Sequence, residues 1–275
     1  MSRRIRIVCD NTAGALAGTL GEHGFAAHIE ADGSSILFDT GGGHTLLHNA
    51  QRMNLDLRAV GEVVLSHGHY DHAGGLWPLL QSTGGKRVLA HPKVFTRRYS
   101  LREGVCRSVG IPYPEEFLAG MGASFSYSED FREITPGIYL TGEVPRVTPF
   151  EEGDRGLFCD EEGCHPDPVP DDQSLVVKTG KGLLLLLGCC HAGVINTVEH
   201  ARQKSGEERV YAVIGGCHLS FCSQPQIDET VRTLKRYGVK KICAGHCTGF
   251  EASARLSREF PASFRPAQVG YTIEW

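Results

Sequence analysis

The chain has 275 residues, of which 41% are hydrophobic and 22% charged, an ordinary balance for a soluble globular protein with a sizeable core. Its formal net charge is −4 and no stretch concentrates lysine and arginine, which excludes the basic footprint that nucleic-acid phosphates require. The longest apolar run, Leu183 to Leu187, is far too short to span a bilayer, and no apolar segment of signal-peptide length precedes Cys9, so a cytoplasmic protein with no membrane partner is expected.

The first third reads as strands and turns. Arg4–Cys9, Phe25–Ala31 and Ser35–Asp39 are predicted strands, the last two joined by an Asp32-Gly33 hairpin. The small, glycine-rich segment Asn11–Gly24 is expected to be a loop over a site. A helix from His44 to about Met53 carries Leu46, Leu47 and Ala50 on one stripe, and the strand Glu62–Leu65 follows it. Ala73–Gln81 is predicted as a helix despite Pro78, leading to the strand Arg87–Ala90. Residues 92–122 suggest an excursion of short basic helical pieces. Strands are expected at Ala123–Tyr127 and Gly137–Leu140.

Glu143 to Asp172 is rich in proline, glycine and acidic residues and reads as a long functional loop. Cys159, Cys164 and His165 within it have spacing too uneven for a metal site. The strands Ser174–Thr179 and Leu183–Leu187 follow, the second apolar throughout and so buried on both faces. A helix then runs to about Gln203, and Arg209–Ile214 is a strand. A helix from Pro225 to Tyr237, a strand Lys241–Ala244, a short helix and a closing strand Gln268–Ile273 complete the chain. Neither a repeat nor a linker divides it, so a single domain of two sheets with outer helices is expected. The ten cysteines form no paired CxxC motif and read as reduced thiols, mostly in the core.

The chemistry collects at strand ends. Ser66-His67-Gly68-His69-Tyr70-Asp71-His72 follows the buried run Val63-Val64-Leu65. Residues at i and i+2 of extended backbone point the same way, so His67 and His69 are placed to grip one metal ion. Asp71 and His72 follow where the chain turns and face a second point. Imidazole with carboxylate is a ligand set of zinc, manganese and iron. Asp39, His191 and His246 also end strands, and His218 does so after Gly215-Gly216. Ligands gathered from several strand ends on one sheet edge are how α/β enzymes assemble a site.

His67-Gly68-His69-Tyr70-Asp71-His72 resembles the HxHxDH signature of the metallo-β-lactamase superfamily, Phe38-Asp39-Thr40-Gly41 its first motif and Gly245-His246 its last. The resemblance implies an α/β fold, the αβ/βα four-layer sandwich with two mixed β-sheets flanked by helices. Asp10-Asn11-Thr12, His23-Gly24-Phe25, Gly188–Thr197, Gly215–Leu219 and His246–Gly249 extend it to a subgroup that includes dihydropterin-6-ylmethyl-(ribofuranosyl)aminobenzene phosphate synthase. Carried over, it puts His67, His69 and His191 on one divalent metal and Asp71, His72 and His246 on the other. Zinc is the first expectation, with manganese or iron as alternatives. Asp39 would orient the ligating histidines.

Hydrolases of the superfamily usually place a metal-bridging aspartate at the end of the strand after the third histidine. Here Leu183–Leu187 ends in Gly188-Cys189-Cys190-His191. Asp171 or Asp172 is a candidate for that carboxylate, and a thiolate or water is the alternative. The reading drawn is a metal-dependent hydrolase of a small phosphorylated or ester substrate, using a metal-activated water with Asp71 as proton acceptor. The alternative is a transferase joining a dihydropterin diphosphate to a ribofuranosyl-aminobenzene phosphate. His218 is a candidate contact for a substrate phosphate. A homo-oligomer is compatible with the chain.

Overall fold

The computed structural model describes residues 3–16 and 18–275. Met1, Ser2 and Ala17, the last inside the predicted loop Asn11–Gly24, lie outside the described residues. The chain forms two compact units.

The first unit comprises Met1–Ser128, Arg155–Asp167 and Gln268–Trp275. Its seven-stranded sheet runs in the order Thr272–Glu274, Arg4–Cys9, Ala26–Ala31, Ser34–Phe38, Glu62–Val64, Lys86–Ala90, Ala123–Tyr127. The predicted Asp32-Gly33 hairpin forms, with Ala31 paired to Ser34 and φ of 51° and 89° at the two turn residues, the primed geometry that asparagine, aspartate and glycine favour. From Ser34–Phe38 onward the strands are parallel, and Phe38 pairs with Val64. That register brings the residues just beyond both strands, Asp39 and the Ser66–His72 segment, to one edge. Leu46, Ala50, Leu76, Leu79 and Leu80 of two helices pack on Leu37, Val63 and Val88 of this sheet.

The second helix runs Leu76–Thr83, later than predicted, after a separate turn at Tyr70–Ala73. Pro78 is therefore its third residue, where no intrahelical partner for an amide exists and proline costs nothing. Residues 92–122 differ more. They contain a hairpin, Tyr99–Arg102 with Val105–Ser108, and only one helix, Glu115–Gly120. The hairpin strands are exposed or half-buried at every position, so no period-two apolar pattern marked them. Leu157–Phe158, inside the predicted long loop, adds a third strand. The closing strand is Thr272–Glu274, because Gly270 at φ 89° turns the chain first.

The second unit comprises Glu129–Asp154 and Pro168–Ala267. Its sheet order is Phe264–Pro266, Lys241–Gly245, Val210–Gly216, Gly182–Leu187, Leu175–Thr179, Ile138–Leu140, Arg132–Thr135. The two terminal strands of that order, Phe264–Pro266 and Arg132–Thr135, are too short and polar to have been predicted. Gly182–Leu187 is buried at all positions, as its apolar sequence requires. It pairs in parallel with Val210–Gly216, which pairs in parallel with Lys241–Gly245. Parallel strands share a C-terminal edge, so Cys189–His191, Cys217–His218 and His246–Cys247 emerge together. Helices Val194–Ser205, Gln224–Arg236 and Phe250–Glu259 cover this sheet through Val198, Ala201, Ile227, Val231, Leu234 and Leu256. Among the described residues no helix is long and apolar enough to cross a membrane.

Candidate metal centre

In the first unit the predicted cluster is one hydrogen-bonded assembly. Asp39 is fully buried and sits at φ 60°, a left-handed conformation that costs a non-glycine residue energy and recurs at functional sites. Its Oδ1 accepts the Ser66 amide at 2.7 Å, and its Oδ2 accepts Ser66 Oγ at 2.7 Å. His72 Nδ1 lies 2.7 Å from the same Oδ2. A carboxylate only accepts, so His72 must carry its proton on Nδ1. Ser66 Oγ spends its proton on Asp39 and so accepts from His67 Nδ1, 2.9 Å away. Both imidazoles are thereby fixed with a bare Nε2.

Those bare nitrogens gather. His67 Nε2 is 2.9 Å from His69 Nδ1, and His72 Nε2 is 3.8 Å from Asp71 Oδ2. Two nitrogens on one tetrahedral zinc stand about 3.3 Å apart, given bonds of about 2.0–2.1 Å. Distances of 2.9 and 3.8 Å lie on either side of that spacing, and the donor set fits a divalent metal. Burial, with His72 and His69 alongside, holds the His67 imidazole well below its ordinary range, which keeps it neutral and able to ligate. Glycine is the one residue type that fits at position 68, between His67 and His69, since a Cβ there would lie 1.8 Å from the Val94 carbonyl oxygen. Thr40 N and Oγ1 both donate to the His72 carbonyl, at 2.7 and 2.8 Å, and hold the turn down.

In the second unit His191, His218, His246 and Asp172 all lie at the common strand edge and all are buried. The His191 and His218 rings are stacked at a tilt with centroids 4.1 Å apart. His218 Nε2 meets Asp154 Oδ2 at 3.1 Å. Burial works to lower the His218 pKa, but Asp154 and Cys247 outweigh it and push it up to about 9. Asp172 Oδ2 accepts the Ala192 amide at 2.9 Å, and burial pushes this carboxyl up to about 6. It therefore braces the loop that carries His191. Arg146 Nη1 donates to the His191 carbonyl at 2.5 Å. His246 Nε2 stands 3.3 Å from Cys189 Sγ. Cys190, His218 and His246 share the left-handed backbone of Asp39, at φ 63°, 50° and 49°.

Two participants, His23 and Asn11, escaped sequence reasoning. His23 Nε2 is 3.2 Å from Asp71 Oδ2, and Asn11 Nδ2 is 3.2 Å from His23 Nδ1. Asn11 Oδ1 accepts the Gly24 amide, which orients the side-chain amide and leaves its donor facing His23. His23 and Asn11 both fall within the motif pieces quoted above, yet nothing in their spacing assigns them a role. The thiolate weighed above as the alternative to an aspartate is now narrowed to Cys189, whose Sγ stands beside His246.

Residues 21–246 match the profile of the metallo-beta-lactamase superfamily, and the chain belongs to that superfamily. It is 31% identical, over 99% of its length and 96% of the relative's, to the 7,8-dihydropterin-6-methyl-4-(beta-D-ribofuranosyl)-aminobenzene-5'-phosphate synthase of Methanocaldococcus jannaschii. An uncharacterised protein of the same organism is 33% identical over 92% of this chain and 94% of its own. Among solved structures, Tm1679, a metal-dependent hydrolase of the beta-lactamase superfamily, aligns with a TM-score of 0.84 at 30% identity, covering 99% of both chains. The expected fold, mixed sheets flanked by helices, and the expected subgroup likeness are both borne out.

Proposed function

We propose that the chain is a transferase of the pterin-synthase type, joining a dihydropterin diphosphate to a ribofuranosyl-aminobenzene phosphate. The observation that carries this is the 31% identity to the named synthase across 99% of the chain. His67, His69, Asp71 and His72 of the first unit, and His191 and His246 of the second, would be the ligands of divalent metal, zinc by preference for this donor set. When bound, the ions supply Lewis acidity toward the diphosphate.

The chain's own residues supply orientation and proton handling. As the aminobenzene nitrogen bonds to the pterin methylene carbon, the carbon–oxygen bond to the diphosphate breaks and pyrophosphate leaves. The nitrogen sheds a proton, which Asp71 Oδ2 accepts. His23 stands 3.2 Å away; because Asn11 donates to its Nδ1, its Nε2–H donates to Asp71 Oδ2 and orients that carboxylate. Asp39 keeps His67 and His72 in the ligating tautomer. His218 offers a buried imidazole to a substrate phosphate, and Asp172 holds the His191 loop. Asp71 is the acid–base residue of this scheme.

A second reading is favoured by the likeness to Tm1679: a hydrolase that transfers the same kind of small phosphorylated or ester substrate to water. One assay separates them. Incubation with both substrates is expected to give coupled product and pyrophosphate one to one, with neither formed when the amine is omitted. Diphosphate cleavage without the amine would establish the hydrolase instead.

A further inference from the structure

We propose that Cys189 is a metal ligand, donating its thiolate to the ion that His246 holds; this rests on the metal-centre reading above. Cys189 is the second residue beyond the buried strand Gly182–Leu187, at the edge from which the second unit projects its histidines. Its Sγ lies 3.3 Å from His246 Nε2. With bonds of about 2.3 Å to sulfur and 2.0–2.1 Å to nitrogen, ligand atoms on one tetrahedral zinc stand about 3.6 Å apart. The pair is within a few tenths of an ångström of that spacing.

The neighbouring thiol is differently employed. Cys247 Sγ donates to the Cys189 carbonyl at 3.4 Å and accepts the His218 amide at 3.3 Å, so it ties three strand ends together through backbone. Cys189, His218 and Cys247 offer ligand atoms that all lie within 4.8 Å of one another, and the donor-rich pocket of this unit is built of sulfur and nitrogen. Asp172, the carboxylate candidate, places its Oδ2 on the Ala192 amide. Gly216 leaves room for His246 and Cys247, since a Cβ there would lie 2.7 Å from Cys247 Sγ and 3.3 Å from His246 Cδ2. Metal binding releases the Cys189 proton to solvent. A thiolate in this place makes the centre select soft divalent ions, zinc, iron or cobalt, over magnesium.

The test is cobalt(II) loading of the full chain, read by metal stoichiometry and by the thiolate-to-cobalt charge-transfer band in the near ultraviolet. The wild type is expected to show the band. Cys189→Ser should abolish it and weaken one equivalent of cobalt at least about tenfold, whereas Cys247→Ser and Cys190→Ser keep the band. Cys189→Asp should recover the metal without the band, which separates a ligand role from a folding defect. A band that survives in Cys189→Ser, or stoichiometric cobalt without a band in the wild type, overturns the proposal alone. A wild type that binds no cobalt overturns the metal-centre reading as well.

Discussion

His72 Nδ1 donates to Asp39 Oδ2 across 2.7 Å in a setting where neither side chain is exposed at all. The same carboxylate takes the Ser66 amide and hydroxyl, so one buried group sets the tautomer of two histidines, His67 and His72. Asp39→Asn keeps the volume but leaves one oxygen where three donors converge. The expected result is metal binding weakened about 10–100-fold with the fold retained. Competition against a chelator measures it, and unchanged affinity would remove Asp39 from the centre.

His23 tests how Asp71 is positioned to accept the proton. Asn11 holds it, and its Nε2 faces Asp71 Oδ2. His23→Gln should lower kcat of the coupling reaction by up to about 100-fold, with KM and metal content unchanged. A rise in KM alone would make it a substrate contact.

Arg98 and Asp167 form an ion pair at 2.7 Å with side chains 0% and 1% exposed. Arg98→Met removes the guanidinium from a buried carboxylate and should cost about 3–5 kcal/mol in urea unfolding. Adding Asp167→Leu to that variant should recover most of the loss. If the single variant is as stable as the wild type, the pair carries no structural role.

His28 gives the pH dependence. It is buried, its Nε2 is 2.9 Å from Ser35 Oγ, and burial lowers its pKa from 6.5 to about 4. Between those values the unfolded chain binds a proton that the folded chain refuses. Stability therefore rises with pH across that window and is lost on acidification, by up to ~3 kcal/mol. His28→Gln should remove this part of the slope when unfolding is followed at pH 7 and pH 4.5. An identical slope in both proteins would assign the loss to other groups.

Much of the centre was legible because its residues are neighbours in sequence. His67 to His72 follow one apolar run; the two-residue period places His67 and His69, and the turn just after them places Asp71 and His72, without any long-range contact. His191, His218 and His246 were legible as strand ends, since glycine and a change of pattern mark where a parallel strand stops. The rest depends on pairs far apart in the chain. Asp71 and His23, Cys189 and His246, and Arg98 and Asp167 meet only through sheet register. The hairpin Tyr99–Ser108 was missed for another reason: with neither face buried, its sequence carries no alternation to read.

The most direct measurement is the metal content of protein purified without added ions, beside that of His69→Ala. His69 Nδ1 stands 2.9 Å from His67 Nε2, so its loss removes half of the paired donor that begins the cluster. The expected result is divalent metal in the wild type, up to two per chain, with loss of metal and of coupling activity together in His69→Ala. Full metal content in that variant would contradict the assignment of the strand-end cluster as the metal centre.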